Sequence, residues 1–242
     1  MITTPLSPLF QNSGAKMKII ELEEVDSTNN FCKRYKGVED ITVTAARQSG
    51  GRGTKGRSFS SEKGGLYVSV MRFYKNFPAG NAFKIMLNAC VAVCKTLENF
   101  GVFPVIRWAN DVLVNGKKIC GTLIENTFSG AYITRSIVGI GINVNNTIPA
   151  ELEKIATTLS AELNREIKVF AVKEAILRNL EKDYSVIDYK KYINWLGKEV
   201  TLKLGEESIT AIALDIAEDG RLIVDINGEI KKISSAEVSL RL

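Results

Sequence analysis

Residues 105–125 read VIRWANDVLVNGKKICGTLIE, and their pattern decides what kind of fold surrounds them. Two apolar, β-branched runs flank Asn115-Gly116, a dipeptide suited to a tight turn whose central residues take positive φ. The pattern predicts a hairpin with 105–114 as its first strand. A two-residue turn pairs Val114 with Lys117, Leu113 with Lys118 and Asp111 with Cys120. Asp111 and Lys118 then project from one face as diagonal neighbours, joined by Arg107 if no bulge intervenes. A carboxylate, an ammonium and a guanidinium would meet there, beside Trp108 and Asn110. A solvated Asp–Lys pair contributes only about 0–1 kcal/mol, but the flanking apolar residues predict that much of this hairpin is buried.

The elements outward from the hairpin are consistent with it. AYITRSIVGIGINVN at 131–145 reads as a further strand pair. LYVSVMRF at 66–73 is apolar on both faces, so it belongs inside a covered sheet. Between them, 79–100 carries Phe83, Met86, Leu87, Cys90, Val91, Cys94 and Leu97 at helical steps and stops at Gly101. ITVTAA at 41–46 and MKIIELEEV at 17–25 are strands. Ser27, Thr28 and Asn29 open a short helix that runs to Lys36, with Gly37 as its stop. Helical stretches are expected at 150–163 and 170–195. Beyond them come short strands with turns at Asp219-Gly220 and Asn227-Gly228, which predict a small antiparallel barrel or sandwich. The expected organisation is a loose tail at 1–16, an α+β domain with a mixed sheet flanked by helices at 17–192, and a β module at 193–242.

The least ordinary stretch is RQSGGRGTKGRSFSSEKGG, from Arg47 to Gly65. Gly51–Gly56 satisfies G-x-G-x-x-G, but no helix pattern follows and no acid stands about 20 residues on, so the dinucleotide reading fails. Gly51 to Ser58 also comes near a Walker A loop, with Arg57 in place of lysine and again no helix behind it. What remains is a run of exposed amides with Arg47, Arg52, Lys55 and Arg57, able to fold over a polyanion. A flexible basic surface loop is the plainer reading. The strands on both sides argue against a nucleic-acid-binding tail.

Composition narrows the chemistry. The 242 residues include no histidine, which removes Ser-His-Asp and Cys-His catalysis and any imidazole metal site. Thirty-two basic against 27 acidic residues give a net charge of +5, enough for an anionic ligand without demanding nucleic acid. The four cysteines (Cys32, Cys90, Cys94, Cys120) show no C-x-x-C pair, as expected for reduced thiols in a cytoplasmic protein. No apolar run approaches a membrane span, and the first sixteen residues lack the pattern of a signal peptide.

VDSTN at 25–29, GRGTKGRSF at 51–59 with GGLYVS at 64–69, RWAND at 107–111, GKKICGTLIE at 116–125 and GIGINVN at 139–145 occur in order. With the β-rich C-terminal module, these motifs closely resemble biotin protein ligases over about residues 20–242. The resemblance implies a class II synthetase-like catalytic domain followed by an SH3-like β-barrel. It also implies the single-function class, without a DNA-binding domain. The implied reaction has two steps. Biotin attacks the α-phosphorus of ATP to give biotinyl-5′-adenylate, and a lysine of a carboxylase's biotin carboxyl carrier domain then takes the biotinyl group. The substrates are biotin and ATP, with Mg²⁺ on the nucleotide and no dedicated protein metal site. Nucleic acid and membrane are not partners, and a homodimer is left open.

By the same resemblance, Lys118, Arg52 and Asp111 are the catalytic groups. Lys118 contacts the biotin carboxylate and bridging phosphate, Arg52 and the Gly51–Gly53 amides clamp the same region, and Asp111 orients the incoming lysine or a Mg²⁺-bound phosphate. Ser27, Thr28, Asn29, Gln48, Gly51, Arg52, Gly53, Thr54, Lys118 and Gly121 form the implied biotin set. Arg57, Arg107, Trp108, Asn110, Asn143 and Arg241 form the nucleotide set. Ser27 and Thr28 are also readable as helix caps, Trp108 as core, Gln48 as a loop residue and Asn143 as a turn former. The chain departs from the family pattern at Thr54, where a second arginine is common. It departs again at Arg107 and Ala109, which replace the lysine and proline of KWPND, and at Ala156, near the place where some members put an adenine-stacking tryptophan. A lipoate or octanoate ligase and a non-catalytic basic nucleic-acid-binding protein are the rival readings.

Overall fold

The segment 105–114 is not one strand. Val105–Arg107 (β4) and Asp111–Val114 (β5) are antiparallel partners with Arg107 opposite Asp111, and the chain turns between them at 108–110. β5 then pairs with Lys117–Ser129 (β6) across Asn115-Gly116, whose φ values are +50° and +78°. Val114 and Leu113 meet Lys117 and Lys118 as expected. A register shift between Val112 and Leu113 then sets Val112 opposite Cys120 and Asp111 opposite Gly121, not Cys120. The extra residue of this bulge lets consecutive Ile119 and Cys120 both be fully buried, which strict alternation would forbid.

The computed structural model describes residues 18–204, 206–235 and 239–241, so the expected tail at 1–16 lies outside the described residues. The remaining strands of the main sheet are Lys18–Val25 (β1), Ile41–Gln48 (β2), Leu66–Pro78 (β3) and Tyr132–Ile142 (β7). Their order is β1-β2-β3-β7-β6-β5-β4, parallel between β1 and β2 and antiparallel elsewhere. β7 is a single long strand where a pair was expected, with β3 on one side and β6 on the other.

One face is covered by Ala82–Glu98 (α2), whose Ile85, Leu87, Cys90, Val91, Cys94 and Leu97 are fully buried at helical spacing. Burying one such leucine or isoleucine is worth about 1.5–3 kcal/mol. Thr28–Arg34 (α1) covers part of the other face, over a small cluster of Cys32, Ile41, Val43, Met71 and Ile137. It ends two residues before Lys36. The rest of that face lies under the loop after β2.

The two expected helical stretches are shorter pieces: Leu159–Leu163 (α3), Val169–Leu180 (α4) and Val186–Lys190 (α5). Asn164 takes the left-handed conformation and ends α3, and a capping box of Ser185 and Asp188 starts α5. Residues 192–195 leave the helix because β4 offers better partners. Tyr192 O accepts from Ile106 N at 2.8 Å, and Trp195 Nε1 donates to Ile106 O at 2.8 Å.

The C-terminal strands are Glu199–Leu204 (β8), Glu207–Ile216 (β9), Leu222–Ile226 (β10), Glu229–Ile233 (β11) and Ser239–Arg241 (β12). They form an antiparallel sheet ordered β11-β10-β9-β8-β12, and no pairing joins β11 to β12 among the described residues. Its buried residues, Val200, Leu202, Ala213 and Val224 among them, are continuous with the core around α2. Among the described residues no helix is long and apolar enough to cross a membrane.

Candidate active site

Three glycines in the middle of the main sheet make room for the site. Gly121 on β6 lies directly opposite Gly141 on β7, and Gly139 lies opposite Leu123. A Cβ at Gly141 would stand 2.6 Å from the Phe59 ring, and one at Gly121 would stand 3.1 Å from Lys118 Nζ. One at Gly139 would run into Asn29 Oδ1. Because side chains alternate along a strand, glycines at 139 and 141 strip the same face. Above this floor is an open cleft, bounded by the loop after β2 on one side and by β6 on the other.

One end of the cleft is neutral and hydrogen-bonded. Gln48 Oε1 accepts from Thr28 N at 2.8 Å and Thr28 Oγ1 at 3.1 Å, and Gln48 Nε2 donates to Ser61 Oγ at 2.9 Å. Gln48 therefore satisfies an open amide at the start of α1 from outside the helix. Ser27 has the extended backbone of an N-cap, but its side chain makes no capping bond. Ser69 Oγ stands 2.6 Å from Asn29 Oδ1 and 2.7 Å from Thr28 Oγ1, and Asn29 Nδ2 donates to Glu125 at 2.9 Å. Ser27, Thr28, Asn29 and Gln48 all line the cleft.

The basic loop has a definite shape. Phe59 N donates to Gly51 O at 2.9 Å and Gly53 N to Arg57 O at 2.7 Å. A 3₁₀ turn at Thr54–Gly56 reverses the chain, with Lys55 and Gly56 at φ +56° and +73°. Arg52, Gly53, Thr54 and Arg57 line the cleft. Arg52 Nη1 donates to Asn30 Oδ1 at 3.1 Å, while Arg57 donates to Thr54 O at 3.2 Å and to Thr54 Oγ1 at 3.1 Å. Gly51 does not line the cleft. It stands behind the loop, where a Cβ would strike Phe59 O and Ser61 Oγ.

The β4–β5–β6 corner supplies the other wall. Lys118 Nζ is 2.6 Å from Asp111 Oδ1, and Arg107 Nη2 is 2.7 Å from Asp111 Oδ2. Burial alone would raise the Asp111 carboxyl, but the charges and hydrogen bonds of Lys118 and Arg107 outweigh it and hold it below the usual range. Lys118 lies 5.7 Å from the Phe59 ring centroid. Its backbone is fixed by bonds to Ile155 O at 2.8 Å and from Thr157 N at 3.0 Å. Asn110 faces the cleft and donates to Thr122 O at 2.8 Å.

Three residues of the expected nucleotide set, Arg107, Trp108 and Asn143, do not line this cleft. Arg107 serves Asp111 and does not line the cleft, because the β4–β5 turn sets it directly across from that carboxylate. Trp108 is core, with Nε1 donating to Gly220 O at 2.9 Å and so tying the C-terminal module to the main domain. Asn143 is buried away from the cleft, donating to Thr157 O at 3.1 Å and accepting from Asn146. The side chain of Arg241 lies outside the described residues. The sequence reading missed Phe59, Tyr67, Thr122 and the glycine floor at 139 and 141. A glycine at every second position of an otherwise β-branched strand was the available signal. Among the described residues no group of three or more His, Cys, Asp or Glu side chains is arranged to hold a metal ion.

Residues 22–143 match the model of the biotin/lipoate A/B protein ligase family, and residues 195–241 match that of the biotin protein ligase C-terminal domain. The bifunctional ligase/repressor BirA of Bacillus subtilis is 33% identical over 236 residues, covering 90% of this chain and 72% of that protein. The biotin–[acetyl-CoA-carboxylase] ligase of Mycobacterium tuberculosis is 26% identical over 220 residues, covering 83% of this chain and 79% of that one. The solved structure of the biotin protein ligase from Aquifex aeolicus in complex with biotin and ATP superposes with a TM-score of 0.80 at 33% identity. That match covers 93% of this chain and 98% of the other.

Proposed function

The chain belongs to the biotin/lipoate A/B protein ligase family, and from that premise we infer that it is an ATP-dependent biotin protein ligase. It activates biotin as biotinyl-5′-adenylate and passes the biotinyl group to a lysine of a biotin carboxyl carrier domain. The observation that carries this reading is the meeting, in one cleft, of Arg52 and Arg57 from the loop with Lys118 from the hairpin.

The first step joins two anions, so electrostatics dominates its barrier and fixed cations lower it most. A biotin carboxylate oxygen attacks the α-phosphorus, the bond to the bridging oxygen breaks, and pyrophosphate leaves. Lys118 exchanges Asp111 for the carboxylate and the bridging oxygens, while Arg52 and Arg57 take the phosphate side. The neutral network of Ser27, Thr28, Asn29 and Gln48 suits a ureido ring, which needs donors and acceptors without charge. In the second step the acceptor amine attacks the acyl carbon, the bond to the phosphate oxygen breaks, and AMP leaves. Asp111, kept ionised by Arg107, orients the approaching lysine, which attacks as the neutral amine after releasing a proton to solvent and sheds a second proton to solvent as the amide forms. Mg²⁺ arrives with the nucleotide as part of the substrate. Residues 17–192 carry this chemistry, and 193–242 form the appended module. The four free, buried cysteines fit a reducing cytoplasm.

Exchange of labelled pyrophosphate into ATP tests the reading. Exchange that requires biotin, and that octanoate does not replace, is the expected result. No exchange in the presence of biotin contradicts it.

A further inference from the structure

Arg57 is held in an unusual way for a cation at the rim of a cleft. Both of its side-chain hydrogen bonds go to one neighbour, Thr54, through the carbonyl at 3.2 Å and the hydroxyl at 3.1 Å. Neither acceptor carries charge, and Arg57 makes no ion pair among the described residues. The turn that makes this contact is itself pinned, with Gly53 N on Arg57 O at 2.7 Å and Arg57 N on Thr54 O at 3.3 Å. Lys55 lies within reach of the same charge: burial first, and Arg57 second, hold its ammonium below the usual lysine range. Positive charge is thus concentrated at the mouth of the cleft and aimed by a hydroxyl.

We propose that Thr54 is a positioning residue for nucleotide binding: its hydroxyl presents the Arg57 guanidinium to the phosphate end of the adenylate and does not itself bind biotin. The assignment rests on the biotin-adenylating reading above. The hydroxyl accepts from Arg57 through one lone pair and keeps its O–H donor, so biotin affinity is the readout that separates positioning from direct contact. A guanidinium on a flexible stem must give up rotamer freedom to meet a phosphate, and one tethered beforehand gives up less. Arg57 also keeps further N–H donors for an anion.

The test compares the wild type with Thr54→Val, Thr54→Ser, Arg57→Ala and the double variant Thr54→Val/Arg57→Ala. The readouts are the KM for ATP in biotin-dependent pyrophosphate exchange and the affinity for biotin alone by calorimetry. Thr54→Val should raise the KM for ATP about five- to tenfold, within the range for losing one ordinary hydrogen bond. Thr54→Ser should restore it, and biotin affinity should change by less than about twofold in both. On the Arg57→Ala background, Thr54→Val should add nothing, because the two residues act as one unit. A fall in biotin affinity matching the rise in KM would make the hydroxyl a biotin ligand and overturn the proposal. Effects that multiply in the double variant would overturn it as well. An unchanged Thr54→Val in an active enzyme removes this assignment alone, whereas a wild type without biotin-dependent exchange removes the underlying reading with it.

Discussion

At one wall of the cleft Lys118, and behind it Arg107, close on a single carboxylate, 2.6 and 2.7 Å from the two oxygens of Asp111. On the opposite wall, the hydrogen bonds of Arg52 and Arg57 among the described residues go to neutral acceptors, Asn30 and Thr54. The first arrangement belongs to the fold. Its three charged groups are partly buried, and the single carboxylate compensates both cations, so removing Asp111 leaves two positive charges facing each other whereas removing one cation leaves a pair. The second arrangement belongs to a turn stabilised by backbone bonds, and its guanidiniums contribute little to holding it together. Stability therefore depends on one wall and chemistry on both, with Lys118 changing partners when an anion arrives.

Three substitutions probe this asymmetry. Lys118→Met should give the largest effect, lowering biotin-dependent pyrophosphate exchange by more than about 10²-fold, as expected for removing a group aimed at developing charge. Asp111 keeps Arg107, so the thermal midpoint should move by only a few degrees. Turnover close to that of the wild type would place Lys118 outside the reaction.

Asp111→Asn comes next, and its effect should depend on pH. The folded carboxyl titrates below its unfolded value near 3.9. The stabilisation is therefore complete above about pH 4 and is lost as the pH falls through the folded value. Urea unfolding should show the variant weaker by about 2 kcal/mol at pH 7, with the gap narrowing as the pH falls below about 4. A gap that stays constant with pH would mean that the ionised clamp is not what Asp111 contributes. Arg52→Ala is the mildest of the three, slowing exchange about tenfold while leaving stability within about 0.5 kcal/mol. A larger loss of stability would show that the loop wall is structural after all.

Much of this site is legible along the chain, and the gaps have physical causes. Asn115-Gly116 announces its turn because both residues tolerate positive φ, and α2 announces itself through apolar residues at three- and four-residue steps. The β4–β5 turn is silent. Trp108, Ala109 and Asn110 contain neither glycine nor proline, so 105–114 reads as continuous strand. The bulge beyond Leu113 is silent too, since the demand for it comes from burying Ile119 and Cys120 together. These two omissions shifted the predicted partner of Asp111 by one residue and hid the reason Arg107 stands beside it. Lys118 and Asp111 meet nonetheless, because long side chains absorb a one-residue error that a backbone ladder does not. The partners of Trp108 and Asn143, Gly220 and Thr157, were not legible because they come from segments that no local pattern connects. Gln48, by contrast, reads as a loop residue but is the last residue of β2, and its parallel pairing with Val25 brings it to the first amide of α1.

The central claim is that cations held on separate elements converge on one anion between biotin and nucleotide. A crystal structure of the chain with a non-hydrolysable biotinyl-adenylate analogue tests it directly. The account predicts Lys118 Nζ released from Asp111 and within hydrogen-bond distance of the acyl-phosphate linkage, with Arg52 and Arg57 on the same group. Lys118 still seated on Asp111, with that linkage beyond the reach of all three cations, would contradict it.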